Sequence, residues 1–360
     1  MSHRARPTPR RRRDQVDGPA TEDRGIAPSS REHDAHHPVK GKAETSSALL
    51  RCIEADPLPL RPAAEVAEAT ASTLLPDYRF ILVVIPAHNE ERRIGDTIAS
   101  LRAQSRPADL VIVALDNCTD DTAAVALAQG AVVFATEGNT HRKAGALNQA
   151  LDRMLPELGD DDAVLLMDAD TTLNPDFIDA TTTRLWGPQR GRAVGGVGGI
   201  FEAAEGPWSL VTQLQSNEYV RYARQLGRRH GRAMVLTGTG AVFTAATLRT
   251  VEEARRTGAI PDESGKGSVY DEDALTEDNE LTLAIKALGL RTVSPKACKV
   301  FTAMMPTYLG LYQQRRGGSA APSRTSRPMV PTDTPPPTSL ANCSPTSPCS
   351  SLRSTSRRSA

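Results

Sequence analysis

Continuous apolar runs alternate with amphipathic stretches through the middle of this 360-residue chain. Runs rich in Val, Ile and Leu lie at 80–85, 110–115, 132–135 and 163–167. Runs that are apolar at consecutive positions and partly β-branched are typical of strands buried on both faces of a parallel sheet. Between them, apolar residues recur at helical spacing, as at Ile94, Ile98 and Leu101. This alternation predicts an α/β fold with a mostly parallel, Rossmann-like sheet and right-handed crossovers.

The pattern is less regular in the second half of the chain. It predicts a helix over 210–224, a small-residue turn and short strand over 237–243, and a helix after Asp278 that Gly289 ends. The segment 194–201 contains four glycines. That is too many for an ordinary strand interior, and it indicates backbone lying close to something bulky.

The two ends of the chain differ in composition from the middle. Residues 1–45 and 317–360 are rich in Arg, Pro, Ser and Thr, so we expect both to be disordered, with a short helical lead-in over 46–79. The formal net charge is zero, so no global field favours a nucleic-acid partner. No run reaches the roughly 18 apolar residues of a membrane-spanning helix. We therefore expect a cytoplasmic protein, or one peripheral at the inner face of the membrane.

Acidic residues follow two of the apolar runs directly. Asp116 ends the run at 110–115, and Asp168 and Asp170 follow the run at 163–167. The carboxyl ends of parallel strands form the edge of an open sheet where ligands bind, so these carboxylates are predicted to line one crevice. Adjacent acids repel without a cation, and Mg²⁺ or Mn²⁺ commonly takes one or two carboxylates plus phosphate oxygens. The pattern therefore favours a nucleotide-sugar site with a divalent metal.

Each candidate also has a structural interpretation. Asp116 alone can form a turn or cap a helix. Glu277 and Asp278 can simply favour the dipole at the start of a helix. Gly238 and Gly240 can belong to an ordinary turn rather than an acceptor pocket. The functional interpretation depends on these residues occurring together.

Six motifs occur in order over about two-thirds of the chain, from Ile81 to Arg316. They are Ile85 to Glu90, Asp116, Lys143 to Asn148, Asp168 to Asp170, Thr276 to Asp278, and Gln313 to Arg316. One such motif alone would be weak, but six in order are specific. The sequence resembles the processive inverting family-2 glycosyltransferases, which include the cellulose, hyaluronan, chitin and poly-N-acetylglucosamine synthases.

The resemblance implies a GT-A fold, with a nucleotide-binding half over 80–172 and an acceptor half over 173–316. It assigns Asp168 and Asp170 to a Mg²⁺ or Mn²⁺ ion held against the donor diphosphate, and Asp278 to the general base. Further positions that it implies are Glu277 beside the base, the nucleotide contacts Pro86, Ala87, Glu90, Asp116, Lys143 and Asp168, and the acceptor and diphosphate contacts Gly238, Gly240, Gln313 and Arg316.

The chemistry of inverting transfer is consistent with these roles. A carboxylate such as Asp278 must remove the acceptor hydroxyl proton as that oxygen attacks the anomeric carbon. The departing diphosphate gains negative charge, which a metal and the cations Lys143 and Arg316 would stabilise. A glycosidase also uses two carboxylates but needs no diphosphate site. We therefore expect a metal-dependent hexosyltransferase of polysaccharide-synthase type, moving sugar from a nucleotide-sugar donor, expected to be a UDP-sugar, to a saccharide or lipid-linked acceptor.

The sequence departs from the family after Arg316. Processive members place a Trp there, followed by membrane helices, whereas this chain continues with Gly317, Gly318 and a low-complexity tail. We hypothesise that a frameshift causes the abrupt change, because permitted codons in the shifted frame can spell an Arg-Trp sequence across the junction. The hypothesis fails if the nucleotide sequence lacks that Trp or meets an early stop.

Two other functions are compatible with parts of the sequence. Without the Trp, the chain could be a catalytically impaired nucleotide-binding fragment of such a synthase. A nucleotidyltransferase shares the α/β half but usually carries a Gly-rich phosphate loop near the first strand, and Pro86 to Glu90 contain no glycine.

Overall fold

The computed structural model describes residues 42–54 and 79–312, apart from Arg190, Glu205, Pro207 and Leu275. The strands are β1 (Ile81–Ala87), β2 (Leu110–Leu115), β3 (Val132–Ala135), β4 (Ala163–Leu166), β5 (Thr171–Leu173), β6 (Val194–Gly198), β7 (Ile200–Ala203), β8 (Ala241–Thr244), β9 (Arg291–Val293) and β10 (Lys299–Thr302). The helices are α1 (Lys42–Glu54), α2 (Ile94–Arg102), α3 (Thr122–Ala128), α4 (Arg142–Met154), α5 (Phe177–Trp186), α6 (Leu210–Arg228), α7 (Ala245–Arg256) and α8 (Glu277–Ala287). A single 3-10 turn, Leu155–Glu157, follows α4.

The main sheet has seven strands in the order β3-β2-β1-β4-β8-β6-β9. Strands β1 to β4 pair in parallel, which aligns Ala87 at the end of β1 with Leu115 at the end of β2. Strand β8 is antiparallel to both β4 and β6. The predicted α/β fold with a mostly parallel sheet is therefore confirmed, and the carboxyl ends of its first strands meet at one edge.

Both faces of the main sheet are covered by helices, which explains why the strand sequences are apolar at consecutive positions. Leu82 and Val84 of β1 pack with Leu147 of α4, in a cluster that also includes α1, α7 and α8. Their neighbours Ile81 and Ile85 face the other side, where residues of α2 and α5 pack. Strand β1 is thus buried on both faces, as its sequence predicts.

Strand β6 lies within the glycine-rich segment 194–201. The prediction that this segment is unsuited to a strand interior was wrong, but its glycines do lie against bulky groups. A Cβ on Gly195 would lie 2.8 Å from Cδ1 of Leu290, and one on Gly196 would lie 2.8 Å from Cε1 of Phe243. The strand needs glycine here because core side chains occupy the space on both of its faces.

A second, three-stranded sheet has the order β5-β10-β7. Strand β10 pairs antiparallel with β5 and parallel with β7. Helix α6 begins at a capping box, in which Ser209 and Thr212 exchange side-chain and backbone hydrogen bonds. This helix and β7 form the second pocket described below.

Helix α1 begins at Lys42, inside the range predicted as a disordered arm, and buries Leu49 and Leu50 in the core. The predicted lead-in is helical as far as Glu54, and its remaining residues, 55–78, lie outside the described residues. Outside the described residues lie the rest of the predicted tails, the predicted break after Arg316, and the candidate site residues Gln313 and Arg316. Among the described helices, none combines the length and apolar character that crossing a bilayer requires.

Candidate active site

A pocket of about 600 Å³ opens at the edge where β1, β2 and β4 end. Its lining residues come from those strand ends, the loops that follow them and the start of α4. They are Pro86, Ala87, His88, Glu90, Asp116, Asn117, Asn139, Thr140, Arg142, Lys143, Asp168, Ala169 and Asp170. All of the nucleotide and metal positions proposed from the sequence therefore line this one pocket.

Asp116 is held firmly at one side of the pocket. Its Oδ1 accepts hydrogen bonds from Nδ2 of Asn117 at 2.9 Å, from Nδ2 of Asn139 at 2.8 Å and from Oγ1 of Thr136 at 3.2 Å. These bonds fix the carboxylate, while Oδ2 accepts none of them. His88 contacts the Asp116 carbonyl, with Nδ1 and the oxygen 2.6 Å apart. A pre-oriented carboxylate with one oxygen available suits recognition of a hydroxyl or N–H group of a ligand.

Three residues other than glycine in or near the pocket wall have a left-handed backbone conformation. Asn117 has φ 50°, Arg142 has φ 53°, and Asn89 in the loop after β1 has φ 57°. The left-handed region costs a residue other than glycine about 1–3 kcal/mol, less for Asn, and such residues concentrate at binding sites. Side chains help to hold this geometry, since Oδ1 of Asn89 accepts a 2.8 Å bond from the Thr119 amide. The rim of the pocket is therefore preformed.

The two aspartates after β4 are each paired with a cation. Nζ of Lys143 lies 2.8 Å from Oδ1 of Asp168, and Nη1 of Arg93 lies 3.0 Å from Oδ2 of Asp170. Both aspartates offer the hard oxygens that a divalent ion prefers. Within the described residues, no group of three or more His, Cys, Asp or Glu side chains could hold a metal. Two carboxylates are a donor set that suits a divalent cation when a diphosphate and water supply its remaining ligands.

Lys143 joins this pocket to the start of α8. Its Nζ also lies 3.3 Å from Oε1 of Glu277 and 3.6 Å from Oδ1 of Asp278. It donates a further hydrogen bond of 3.3 Å to the carbonyl of Gly238. In the sequence, Asp168 belongs to one motif and Glu277 and Asp278 to another. The structure brings all three carboxylates around one ammonium group.

The electrostatics of this cluster are strongly coupled. Burial alone would lower the pKa of Lys143, but the carboxylates of Asp168, Asp278 and Glu277 raise it well above its ordinary value. Burial raises the pKa of Asp278 to about 6 despite the opposing effect of Lys143. Burial also raises the pKa of Asp168. The pKa of Glu90 is raised by burial and, in addition, by the negative charge of Asp170.

The pKa of Asp278, about 6, is close to neutral pH, and this suits the carboxyl group to proton transfer. Asp278 lies in the first turn of α8, and its backbone carbonyl accepts a 2.7 Å bond from Oγ1 of Thr282. Its side chain is about 29% exposed. The carboxylate can therefore be reached by an acceptor while remaining partly desolvated.

The two candidate glycines occupy different environments. A Cβ on Gly238 would overlap the carboxylate of Asp278. A Cβ on Gly240 would instead lie 3.1 Å from Cγ1 of Val300 and 3.5 Å from Phe177, in the core. Gly238 is thus part of the carboxylate cluster, whereas the structure does not bring Gly240 to it.

Some polar residues at the site were not predicted from the sequence. Asn139 bonds the Asp116 carboxylate as well as the Arg142 carbonyl, and Arg93 pairs with Asp170. Asn139 lies in an irregular loop between Ala135 and Arg142, where no periodic pattern marks it. The position of Arg93 directly before α2 was visible in the sequence, but its pairing with Asp170 depends on how α2 packs beside β5.

The fold and the pocket define a class of protein, an α/β protein with an acidic ligand pocket at the carboxyl edge of its sheet. The family model described as "Glycosyltransferase like family 2" matches residues 76–318, about two-thirds of the chain. The chain therefore belongs to the family-2 glycosyltransferases. The matched range includes all of the candidate site residues, among them Gln313 and Arg316.

Several known proteins are similar to parts of the chain. A 4,4'-diaponeurosporenoate glycosyltransferase from Staphylococcus aureus is 37% identical over 106 residues, which cover 28% of this chain and 27% of that protein. The chain thus spans about a quarter of the length of the curated relatives it matches.

Two solved structures are also similar. A mannosyltransferase from Pyrobaculum calidifontis in complex with GDP-Man and Mn²⁺ is 19% identical with a TM-score of 0.46, over 77% of this chain and 72% of that chain. Glucosyl-3-phosphoglycerate synthase from Mycobacterium tuberculosis, in complex with Mn²⁺, UDP and glucosyl-3-phosphoglycerate, is 20% identical with a TM-score of 0.41, over 73% and 82%.

Proposed function

We propose that this protein is an inverting glycosyltransferase that moves a sugar from a nucleotide-sugar donor to an acceptor hydroxyl, with Asp278 as the general base. The observation that carries the proposal is the position of Lys143, whose ammonium group lies between Asp168 in the donor pocket and Asp278 at the start of α8. The proposed leaving-group site and the proposed base are thereby adjacent. Membership of the glycosyltransferase family supports the same reaction class.

In the donor complex, we assign the nucleoside to the side of the pocket formed by Pro86, Ala87, Glu90 and Asp116. Asp116 is the anchor, because its fixed carboxylate can accept hydrogen bonds from the ligand through Oδ2. Asp168 and Asp170 would hold a Mg²⁺ or Mn²⁺ ion, which when bound supplies charge neutralisation to the diphosphate. Lys143 supplies a positive charge beside the same group.

At the acceptor side, Asp278 receives the proton from the attacking hydroxyl. Burial keeps its carboxylate poorly solvated, so that it accepts a proton readily near neutral pH. The ammonium group of Lys143 lies between the Asp278 and Glu277 carboxylates and offsets their negative charge. Gly238 lets the Asp278 carboxylate occupy this position, because a Cβ on residue 238 would overlap that carboxylate.

The donor and acceptor classes are the finer part of the proposal. The family resemblance supports a UDP-sugar and a saccharide or lipid-linked acceptor, as in polysaccharide synthesis. One relative is instead named for 4,4'-diaponeurosporenoate, which supports an acceptor other than a polysaccharide. The resemblance also supports a location in the cytoplasm or at the inner face of the membrane.

A screen of donors tests the proposal. Isothermal titration should show UDP or GDP binding that requires Mn²⁺ or Mg²⁺, and UDP-glucose, UDP-N-acetylglucosamine or GDP-mannose should release nucleoside diphosphate in the presence of acceptor. Absence of nucleotide binding would contradict it. In an Asp168→Asn/Asp170→Asn variant, adding Mn²⁺ or Mg²⁺ should no longer strengthen nucleotide binding.

The second candidate is a nucleotide-binding fragment with impaired transfer. It is favoured by the missing Trp after Arg316 and by the end of the family match at residue 318. Metal-dependent UDP binding without any turnover, together with turnover once the shifted reading frame is restored, would support this candidate.

A further inference from the structure

A second pocket, of about 810 Å³, lies between α6, β7 and the beginning of β10. It shares no lining residue with the donor pocket. Its α6 wall runs from Ser216 to Arg228 at spacings of three and four residues, which is one face of the helix. The volume lies within the range of small-molecule sites.

The pocket is rich in positive charge. Arg224, Arg228, Lys296 and Lys299 line it, with Glu202 as its single carboxylate. Nζ of Lys299 lies 2.8 Å from Oε1 of Glu202. The other three cations have no carboxylate within ion-pair distance in the part of the chain that the structure describes. Because the whole chain has no net formal charge, this is a local concentration of cations.

The unpaired cations line the same side of the pocket, at the end of α6. A Cβ on Gly227 would lie 3.4 Å from Cε of Lys296 and 3.9 Å from its Nζ, so this lysine lies across the helix. Arg224 and Arg228 flank Gly227 on the same face. The helix dipole favours Arg228 at the end of α6, but it does not account for Lys296, which comes from the turn before β10. Cations that line one pocket without carboxylate partners are stabilised when an anion lies among them.

An aromatic wall stands next to these cations. The rings of Phe201 and Tyr219 are stacked, with centroids 5.4 Å apart and an interplanar angle of 22°. Both residues line the pocket, as does Val220, which is 46% exposed. Aromatic faces pack well against the apolar face of a ring, so the pocket combines an anion site with a ring site.

We propose that this pocket binds a phosphorylated ring compound of the sugar-phosphate class. Its phosphate would lie among Arg224, Arg228 and Lys296, since guanidinium groups bind phosphate through paired, charge-assisted hydrogen bonds. Its ring would lie against Tyr219 and Phe201. The pocket is separate from the donor site, so the two ligands bind at the same time.

Isothermal titration with glucose 6-phosphate tests this site, in the presence of saturating UDP and Mn²⁺ and with glucose as the uncharged comparison. Glucose 6-phosphate should bind and glucose should not. An Arg224→Gln/Arg228→Gln variant should bind about tenfold more weakly, because it loses two charge-assisted contacts. The matched control is Arg221→Gln/Arg229→Gln, which removes two exposed cations of the same helical region outside the pocket and should keep the wild-type affinity.

Four results would overturn the proposal: no binding of glucose 6-phosphate, equal binding of glucose, displacement of glucose 6-phosphate by UDP, or equal loss of affinity in both double variants. Binding to phosphatidic-acid vesicles without binding of glucose 6-phosphate would show a lipid surface instead, and would also contradict it. Because the assay measures binding alone, its failure is distinguishable from a failure of the transferase reaction.

Discussion

At the residue scale, the site depends on the balance between one cation and three carboxylates. Lys143 reaches Asp168, Glu277 and Asp278 with a single ammonium group. Without it, three negative charges would face one another in a partly buried space. Lys143 therefore favours the charged form of Asp278, the proposed base.

The pH dependence of transfer should report this balance. Only deprotonated Asp278 can accept a proton, so kcat/KM should rise with pH through about 6. Lys143 lowers the pKa of Asp278, so Lys143→Met should move the acid limb of the profile to higher pH. Arg93→Met is the control, since Arg93 pairs with Asp170 rather than Asp278. An unchanged acid limb in Lys143→Met would contradict this account.

Gly238 is the second residue with a sharp prediction. Gly238→Ala places a methyl group where the Asp278 carboxylate lies, so we expect transfer to fall strongly while metal-dependent nucleotide binding is retained. Gly206→Ala is a suitable control, because a Cβ there meets no side chain and only one carbonyl oxygen at 4.0 Å. Steady-state kinetics and titration of both variants distinguish a local effect from misfolding, and full activity of Gly238→Ala would refute the assigned position of Asp278.

At the scale of elements, a buried ion-pair network positions α8. The side chain of Arg255 on α7 is fully buried, pairs with Glu280 on α8, and lies 3.9 Å from Asp271 in the loop between them. Glu280 is in the same first turn of α8 as Asp278. The network therefore fixes α8, which carries the proposed base Asp278, against α7.

Breaking this network should destabilise the protein. Arg255→Met removes the cation that pairs with the carboxylates of Glu280 and Asp271, and breaking a buried ion pair in this way typically costs about 3–5 kcal/mol. Arg256→Met is the matched control, because Arg256 pairs with Glu252 and Glu253 at the surface, where such pairs contribute about 0–1 kcal/mol. Urea denaturation of both variants measures the difference, and an equally small effect of the two substitutions would show that Arg255 does not hold α8.

Some strands could be predicted from the sequence pattern and others could not. The bounds of β2 and β3 match the predicted runs because each is apolar throughout and ends at polar residues. The direction of β8 was not predictable from its sequence, since an apolar run does not specify the direction of its neighbour. Strand β6 was missed because its glycines satisfy packing against Leu290 and Phe243, which lie far away in the chain.

At the scale of the molecule, the topology explains why separate motifs form one site. Parallel strands β1, β2 and β4 end at the same edge, so Glu90, Asp116 and Asp168 line one pocket although they are distant in sequence. That much follows from strand ends alone. The placement of Asp278 beside Lys143, and the separate environments of Gly238 and Gly240, depend on how α4, α8 and β8 pack. No local pattern encodes those distances.

The central claim is that Asp278 removes the acceptor proton, and Asp278→Asn tests it most directly. The substitution keeps the size of the side chain but removes its basicity, so transfer should fall by about 100-fold or more, the usual contribution of a general base. Titration of UDP with Mn²⁺ should give an affinity close to that of the wild type, because Asp278 lies outside the nucleotide pocket. Transfer by Asp278→Asn at the wild-type rate would contradict the account.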